Sequence, residues 1–329
     1  MNYIGSKIRL SPFIYDTITN VVGKDLSGYT FCDLFAGTGT VGKLFKGKVN
    51  TIISNDREYY SYVLNRAYLD NFNKINFKAL FGELNALQGI RGVIFNEYSE
   101  NGKSGRLYFS DANGQKIDAI RYKIEQWKNT KTISEDMYYF LLACLIEGVD
   151  KIANTASVYC AYLKQLKNTA KKEIFVKPIG VLCSKGTKSI VYNEDSNLLI
   201  RKIKGDILYL DPPYNGREYG SYYHLLNTIA IYDNNFVPKG KTGIRQYDTS
   251  KYCKKKEAAK ALTDLIENAG FRYIFLSYNN EGIIPFNVIK ELLSQYGKYA
   301  VISIPHTRFN TQKQQAVLST TEYIHILKK

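Results

Sequence analysis

The stretch Gly205 to Tyr219, GDILYLDPPYNGREY, restricts the possible folds more than any other part of the chain. Ile207-Leu208-Tyr209-Leu210 is a short apolar run rich in strand formers, with Gly-Asp ahead of it and Pro-Pro behind, and is read as a fully buried strand. Two consecutive prolines cannot extend a sheet ladder, and Pro212 biases Asp211 toward an extended backbone. The strand therefore ends on a carboxylate followed by a turn that Pro212 and Pro213 stiffen. In an open α/β sheet this edge receives ligands. The Asp211 carboxylate, the Pro212 carbonyl and the Tyr214 ring offer two acceptors and a stacking face to a flat molecule bearing an amino group.

A second strand-end site precedes it. Tyr29 to Gly42, YTFCDLFAGTGTVG, reads as a strand, a glycine turn and a helix start, where Gly37 and Gly39 let the backbone approach a ligand at a helix N-terminus. Gly42 completes a GxGxxG spacing, so a dinucleotide site is a competing reading. Thr51 to Ser54 is the next strand and ends at Asn55-Asp56, where a carboxylate can grip ribose hydroxyls. Ser189 to Tyr192 is the third and closes on Asn193-Glu194-Asp195, with Asp195 open to two readings, ligand acceptor or helix N-cap. Tyr273 to Ser277, Tyr299 to Ile304 and Glu322 to Leu327 supply further strands, the first running into Tyr278-Asn279.

Between the second and third strands the alternation lapses. A connection that long implies an inserted region, because such links are ordinarily a few residues. Within it Arg106 to Phe109 with Asn113-Gly114 reads as a small hairpin or turn, Ile117 to Lys128 as a helix with Trp127 in the core, and Met137 to Val149 as a buried helix. Later, Ser221 to Tyr232 reads as one amphipathic helix carrying a structural His224, and Pro238 to Arg245 as a mobile loop beside the substrate. The expectation is an α/β Rossmann-like sheet from residues 1–71 and 189–329, with residues 72–188 as a mainly helical insertion.

Charge narrows the partner. The formal net charge is +15, and Lys151 to Ser189 with Val237 to Lys260 hold 13 of the 15 excess charges. Two concentrated blocks suit a polyanion such as nucleic acid, though each is also compatible with a solvated helix surface. The five cysteines are scattered without a CxxC pair, so neither zinc nor a disulfide framework is expected, and no metal is called for. The longest apolar run, Met137 to Ile146, is too short to span a bilayer and no leader precedes Asn2, so a soluble cytoplasmic protein without a membrane partner is expected.

Asp211-Pro212-Pro213-Tyr214 resembles the DPPY motif of the S-adenosylmethionine-dependent DNA adenine-N6 methyltransferases, with Asn215 and Arg217-Glu218-Tyr219 continuing the variant found in modification enzymes of restriction systems. The DxFxGxG pattern at Asp33 and Phe35, the Tyr3-Ile4-Gly5-Ser6-Lys7 segment, KIDAIR, DKIANT and Ser277-Tyr278-Asn279 extend the resemblance over most of the chain. It implies S-adenosylmethionine as cofactor, held by Tyr3, Ser6, Lys7, Asp33, Phe35, Gly37, Gly39, Asp56 and Asp195, with Lys7 a partner for the cofactor carboxylate and Asp195 for its adenine. It implies catalysis by Asp211, Pro212, Pro213 and Tyr214 on an adenine flipped from double-stranded DNA. Lys164, Lys167, Lys171, Lys172, Asn215, Arg217, Lys239, Lys241 and Arg245 are the candidate DNA contacts, the inserted region is the candidate target-recognition part, and a separately encoded restriction endonuclease is a candidate partner. RNA or another amino-group substrate, a non-catalytic DNA-binding protein and an NAD-dependent dehydrogenase are the rival readings.

Overall fold

The computed structural model describes residues 5–69, 77–180, 186–233, 236–307 and 319–329. The chain divides into two compact units, one of Met1–Ser6, Glu58–Cys183 and Tyr219–Asp248, the other of Lys7–Arg57, Ser184–Glu218 and Thr249–Lys329. These boundaries differ from the expected ones at 71/72 and 188/189, chiefly because compactness groups 58–69 and 219–248 with the helical part. Along the chain the helices are α1 (Ser11–Val22), α2 (Thr40–Phe45), α3 (Tyr59–Leu69), α4 (Phe77–Ala86), α5 (Val93–Tyr98) and α6 (Asp111–Asn129). They continue as α7 (Glu135–Ile152), α8 (Ser196–Leu199), α9 (Tyr219–Tyr222), α10 (His224–Ile231), α11 (Ala258–Asn268) and α12 (Phe286–Ser294). Among the described residues no helix is long and apolar enough to cross a membrane.

The sheet lies wholly in the second unit. Its strands are β1 (Thr30–Asp33), β2 (Thr51–Asn55), β3 (Lys188–Tyr192), β4 (Lys204–Leu210), β5 (Gly270–Asn279), β6 (Lys298–Thr307) and β7 (Ser319–Lys328), in the order β3-β2-β1-β4-β5-β7-β6. β1 to β5 run parallel, and β7 lies antiparallel between β5 and β6. Parallel strands β1 to β5 are the α/β Rossmann-like sheet that the sequence implied. Leu262, Leu265 and Ile266 of α11 and Ile289 and Leu293 of α12 bury against Leu208, Leu210, Ile274 and Leu276. Each such side chain contributes about 1.5–3 kcal/mol when fully removed from water. Gly205 is obligatory within β4, since a Cβ there would stand 2.8 Å from both Thr30 and Phe271.

The helical unit has its own core, in which α3, α7 and α10 pack through Tyr60, Leu64, Phe140, Leu141, Leu226 and Ile229. α7 is buried nearly all round, which is why Met137 to Val149 is apolar without an amphipathic stripe. Trp127 also lies in this core. The three charged residues of KIDAIR are buried fasteners. Lys116 donates to the carbonyls of Asn85 (2.8 Å) and Leu87 (2.5 Å), and Arg121 to those of Ile229 (3.0 Å) and Ala230 (3.2 Å). The Asp118 carboxylate accepts from the amides of Gly92 (3.0 Å), Ile94 (2.9 Å) and Phe95 (2.8 Å), capping α5, and from the Tyr232 hydroxyl (2.8 Å). Asp118→Ala orphans four donors, two of them fully buried, so a stability loss of about 3–5 kcal/mol is expected. A denaturation midpoint within error of the parent would contradict this role for Asp118.

Residues 153–180 hold no helix or strand, and their backbone groups find partners elsewhere. Asn85 exchanges bonds with Val176 in both directions (2.7 and 2.9 Å). Asn113 donates to Ala170 and Lys172 and accepts from Ile174. Asn154, from DKIANT, donates to Leu107 and Leu163 and accepts from the Lys167 amide. The lysine-rich block is thus tied down by Asn85, Asn113 and Asn154, the last two fully buried.

Three local expectations are corrected. Asn113-Gly114 is not a turn between strands but the first turn of α6, capped by Ser110, and its glycine is needed because a Cβ would come within 1.9 Å of Ser99 Oγ. The helix expected over 221–232 is broken at Tyr223 into α9 and α10. The 238–245 loop is tied down: Arg106 donates to Gly240 and Lys241, Tyr98 to Gly243 (2.7 Å) and Tyr108 to Thr242 (3.2 Å).

Candidate active site

β1 and β4 adjoin at the point where strand order reverses, paired through Cys32↔Leu208 and Asp33↔Tyr209. Asp33 ends one strand, and Asp211 opens the turn two residues past Tyr209 on the next. Lys7 stands ahead of α1, where the Ser11 hydroxyl donates to its carbonyl at 2.9 Å. Its ammonium lies 2.8 Å from Asp211 Oδ1, the two side chains being 7% and 18% exposed. The same ammonium is 5.9 Å from the centre of the Tyr214 ring. Tyr214 meets Tyr278 edge-on at 6.1 Å, and its carbonyl accepts from the Ile283 amide at 2.8 Å. The segment after β5 therefore buttresses the Pro-Pro turn. Pro212 is buried, while Pro213, Tyr214 and Asn215 are half-buried.

Carboxylates outnumber cations here. Asp33 is pushed up to about 8, by burial first and then by the Asp211 and Asp56 carboxylates, against the Gly42 amide and Lys7. Among the described residues neither of its oxygens has a well-formed hydrogen-bond partner. Asp211 is raised by burial, with Lys7 pulling it back and Glu322 adding repulsion. Burial works to discharge Lys7, but Asp211, Tyr209 and Glu322 outweigh it and hold the amine well above its ordinary value. Lys7 is a cation at any working pH, and its partner is Asp211, a pairing different from the ligand carboxylate expected for it.

The glycine turn has the backbone that its composition implies. Gly37 (φ +51°) and Gly39 (φ +72°) occupy the left-handed region, and α2 begins directly after Gly39. Asp56 Oδ2 accepts from the Gly37 amide at 2.7 Å, joining the end of β2 to the turn. Phe35 packs edge-on against Tyr252 at 5.2 Å. Buried Asn55 donates to the carbonyls of Leu34 and Glu194, both at 3.2 Å, and accepts from the Glu194 amide at 3.0 Å. It ties the β1 turn to the segment carrying Asp195, a role that its place beside Asp56 did not announce. Asp195 itself caps α8, accepting from Asn197 (3.0 Å) and Leu198 (3.2 Å), which is the second of its two readings. It also borders a cavity of about 670 Å³ with Arg57, Leu198, Lys251 and Lys260.

Lys7, Asp33, Gly37, Asp56 and Asp211 are thus gathered at one sheet edge. Ser6 is half-buried, and Tyr3 lies outside the described residues. Of the basic candidates, Lys164, Lys171, Lys172, Arg217, Lys239 and Lys241 are exposed. Two others are engaged within the chain. Arg245 forms a two-point ion pair with Asp233 (2.5 and 2.7 Å) above Phe236, and Lys167 donates to the Thr155 carbonyl at 2.7 Å. Asn215 accepts from the Arg217 amide at 3.1 Å, shaping the turn after Tyr214. His224 and His325 are both buried and pushed down to about 4 by burial, so each is a neutral structural ring.

A buried carboxyl with no well-formed hydrogen bond among the described residues, beside a turn with left-handed glycines and the Asp56 carboxylate, fits a ligand that brings positive charge and a nucleoside. It does not single out a hydride carrier, which gives Asp211-Pro212-Pro213-Tyr214 no task.

Comparison with known proteins bears on the family. Residues 3–292 match the family model of the D12 class N6 adenine-specific DNA methyltransferases. The chain is 52% identical over 336 residues to the type II methyltransferase M.NlaIII of Neisseria lactamica, covering 100% of this chain and 99% of that one. It is 36% identical to the type II methyltransferase M.CviAII of Paramecium bursaria Chlorella virus 1, over 98% of this chain and 97% of that one. It is 39% identical to the type II methyltransferase M.FokI of Planomicrobium okeanokoites, where the whole chain corresponds to 53% of a longer protein.

Proposed function

The chain belongs to the D12 class N6 adenine-specific DNA methyltransferases, and from that premise we propose that Asp211, Pro212 and Tyr214 hold a target adenine flipped out of double-stranded DNA, with S-adenosylmethionine as methyl donor. Site-specific methylation of adenine N6 in DNA is the activity of the family, and the RNA and dehydrogenase readings fall away with it. The observation that carries the assignment of residues is that Asp33 ends β1 and Asp211 directly follows β4, the two strands that adjoin at the strand-order reversal.

The N6 nitrogen is a weak nucleophile because its lone pair is shared with the ring. Acceptance of its two N–H bonds by the Asp211 carboxylate and the Pro212 carbonyl favours the pyramidal nitrogen and offsets the positive charge that grows on it. Tyr214, braced by Tyr278, supplies the stacking face, and Pro213 fixes the turn. S-adenosylmethionine, when bound, supplies the electrophilic methyl group. Asp33, Phe35, Gly37, Gly39 and Asp56 are its proposed contacts, with Tyr3 and Ser6 at the amino-acid end and Asp195 reaching its adenine with the oxygen that does not cap α8. Flipping the base costs a few kcal/mol, which phosphate contacts offset. The exposed Lys164, Lys171, Lys172, Lys239, Lys241 and Arg217 suit those contacts, with the helical unit as the target-recognition part. A restriction endonuclease sharing the recognition sequence is the proposed functional partner.

Long-read sequencing of DNA from cells expressing the protein tests the function, since it reports modified base and context together. N6-methyladenine in one recurring sequence is expected, and its absence overturns the proposal. For the cofactor assignment, Asp56→Ala is expected to weaken S-adenosylmethionine binding about tenfold or more in calorimetry while DNA binding without cofactor persists. Unchanged affinity in the folded variant removes Asp56 from the site.

A further inference from the structure

Glu322 on β7 belongs to none of the motifs, yet the fold brings it to the same sheet edge. β5 pairs with β4 through Leu210↔Leu276 and with β7 through Asn279↔Glu322, which sets Glu322 just beyond the level at which β4 gives way to Asp211. Glu322 is 7% exposed, and its Oε2 is buried without a hydrogen-bond partner among the described residues. A carboxylate oxygen buried in that state is costly unless some stage of the reaction supplies a donor. Its charge is felt by Lys7, Asp211 and Tyr214.

The ion pair at 2.8 Å poses a difficulty that Glu322 resolves. With Lys7 seated on Asp211, the pair is formally neutral and offers little to a base nitrogen that becomes positive. A second carboxylate makes the group of three net negative and gives the ammonium another place to lean.

Resting on the adenine reading above, we propose that Glu322 is a positioning residue for methyl transfer, drawing the Lys7 ammonium away from Asp211 when Asp211 accepts the amino group of the base. The unpaired Oε2 is then the acceptor held ready for Lys7. No bond is made or broken at Glu322, and no proton leaves Lys7. The net negative charge of the three groups faces the nitrogen as it gains positive charge.

The test compares parent, Glu322→Gln and Glu322→Asp in single-turnover transfer of tritiated methyl to a duplex carrying the site, with thermal melts and cofactor calorimetry alongside. Methylation of adenine by the parent establishes the underlying reading separately. Glu322→Gln, nearly the same shape, is expected to lose about 10- to 100-fold in kcat with KM for DNA and cofactor affinity unchanged, and Glu322→Asp to recover part of the loss. In a Lys7→Met background the same Gln substitution is expected to cost less than about threefold, because nothing remains to be drawn away. Equal losses in both backgrounds, a loss confined to KM, or a parental kcat in Glu322→Gln each overturn the proposal. Should Glu322→Gln fail to fold, the folded Glu322→Asp decides by the same cycle with Lys7→Met, a shorter reach giving a loss that depends on Lys7.

Discussion

Asp211→Ala is expected to fold, to bind DNA and S-adenosylmethionine near parental affinity, and to lose on the order of 100-fold or more in single-turnover methylation. The glycine turn and the exposed lysines are untouched by the change. What disappears is an acceptor needed most as N6 becomes pyramidal and positive. The loss is estimated from single-donor deletions in oxyanion sites, where a group fixed before reaction is worth more than its ground-state hydrogen bond. Asp211→Asn separates charge from shape. It keeps one acceptor oxygen but strands Lys7 in a buried place without its partner, so most of the rate loss is expected to remain. A folded Asp211→Ala that methylates adenine at the parental rate would falsify the mechanism and reduce Pro212-Pro213 to a turn.

Much of this arrangement is legible in one dimension because it is local. A strand that ends on Asp before two prolines, and a strand that ends on Asp before a glycine turn, each place a carboxylate at a sheet edge without reference to the rest of the chain. Parallel strands β1 to β5, each built around a run of strand-forming residues, declare themselves the same way. The pairing of Lys7 with Asp211 spans most of the sequence, and no periodicity reports it. Glu322 was hidden for a related reason: within Glu322 to Leu327 it reads as one polar residue of an alternating strand, and only the β5–β7 register shows where it ends up. The corrected segments share a cause as well. Asn113-Gly114 carries turn chemistry, but Ser110 caps a helix there and Asn113 spends its amide on Ala170 and Lys172, so tertiary partners overrode the local signal. Pro238 to Arg245 has the composition of a loose loop, while Arg106, Tyr98 and Tyr108, far away in sequence, hold its carbonyls. Composition likewise left Arg245 looking free for phosphate, although Asp233 already binds it.

Lys7→Met is expected to cost about 3–5 kcal/mol of stability, because removing one partner of a buried pair leaves the other charge uncompensated. Its effect on rate should depend on pH. Burial already raises Asp211 and Lys7 is the chief influence pulling it back, so without Lys7 the carboxyl climbs further. At neutral pH a larger fraction of the variant then holds a proton on Asp211, and a protonated carboxyl cannot offset positive charge on N6. The variant rate is therefore expected to rise toward alkaline pH more steeply than the parental rate, because its Asp211 is raised further. Stability moves the opposite way. A carboxyl whose folded value lies above its unfolded value binds more protons when folded, so stability falls as pH rises from the ordinary carboxylate range to the raised one. Removing Lys7 widens that window. Lys7→Met should thus be relatively most stable on the acid side and relatively most active on the alkaline side. Paired melts and single-turnover rates across about pH 6 to 9 measure both slopes. A parent-to-variant rate ratio that stays constant over that range would mean that Lys7 does not govern the charge on Asp211.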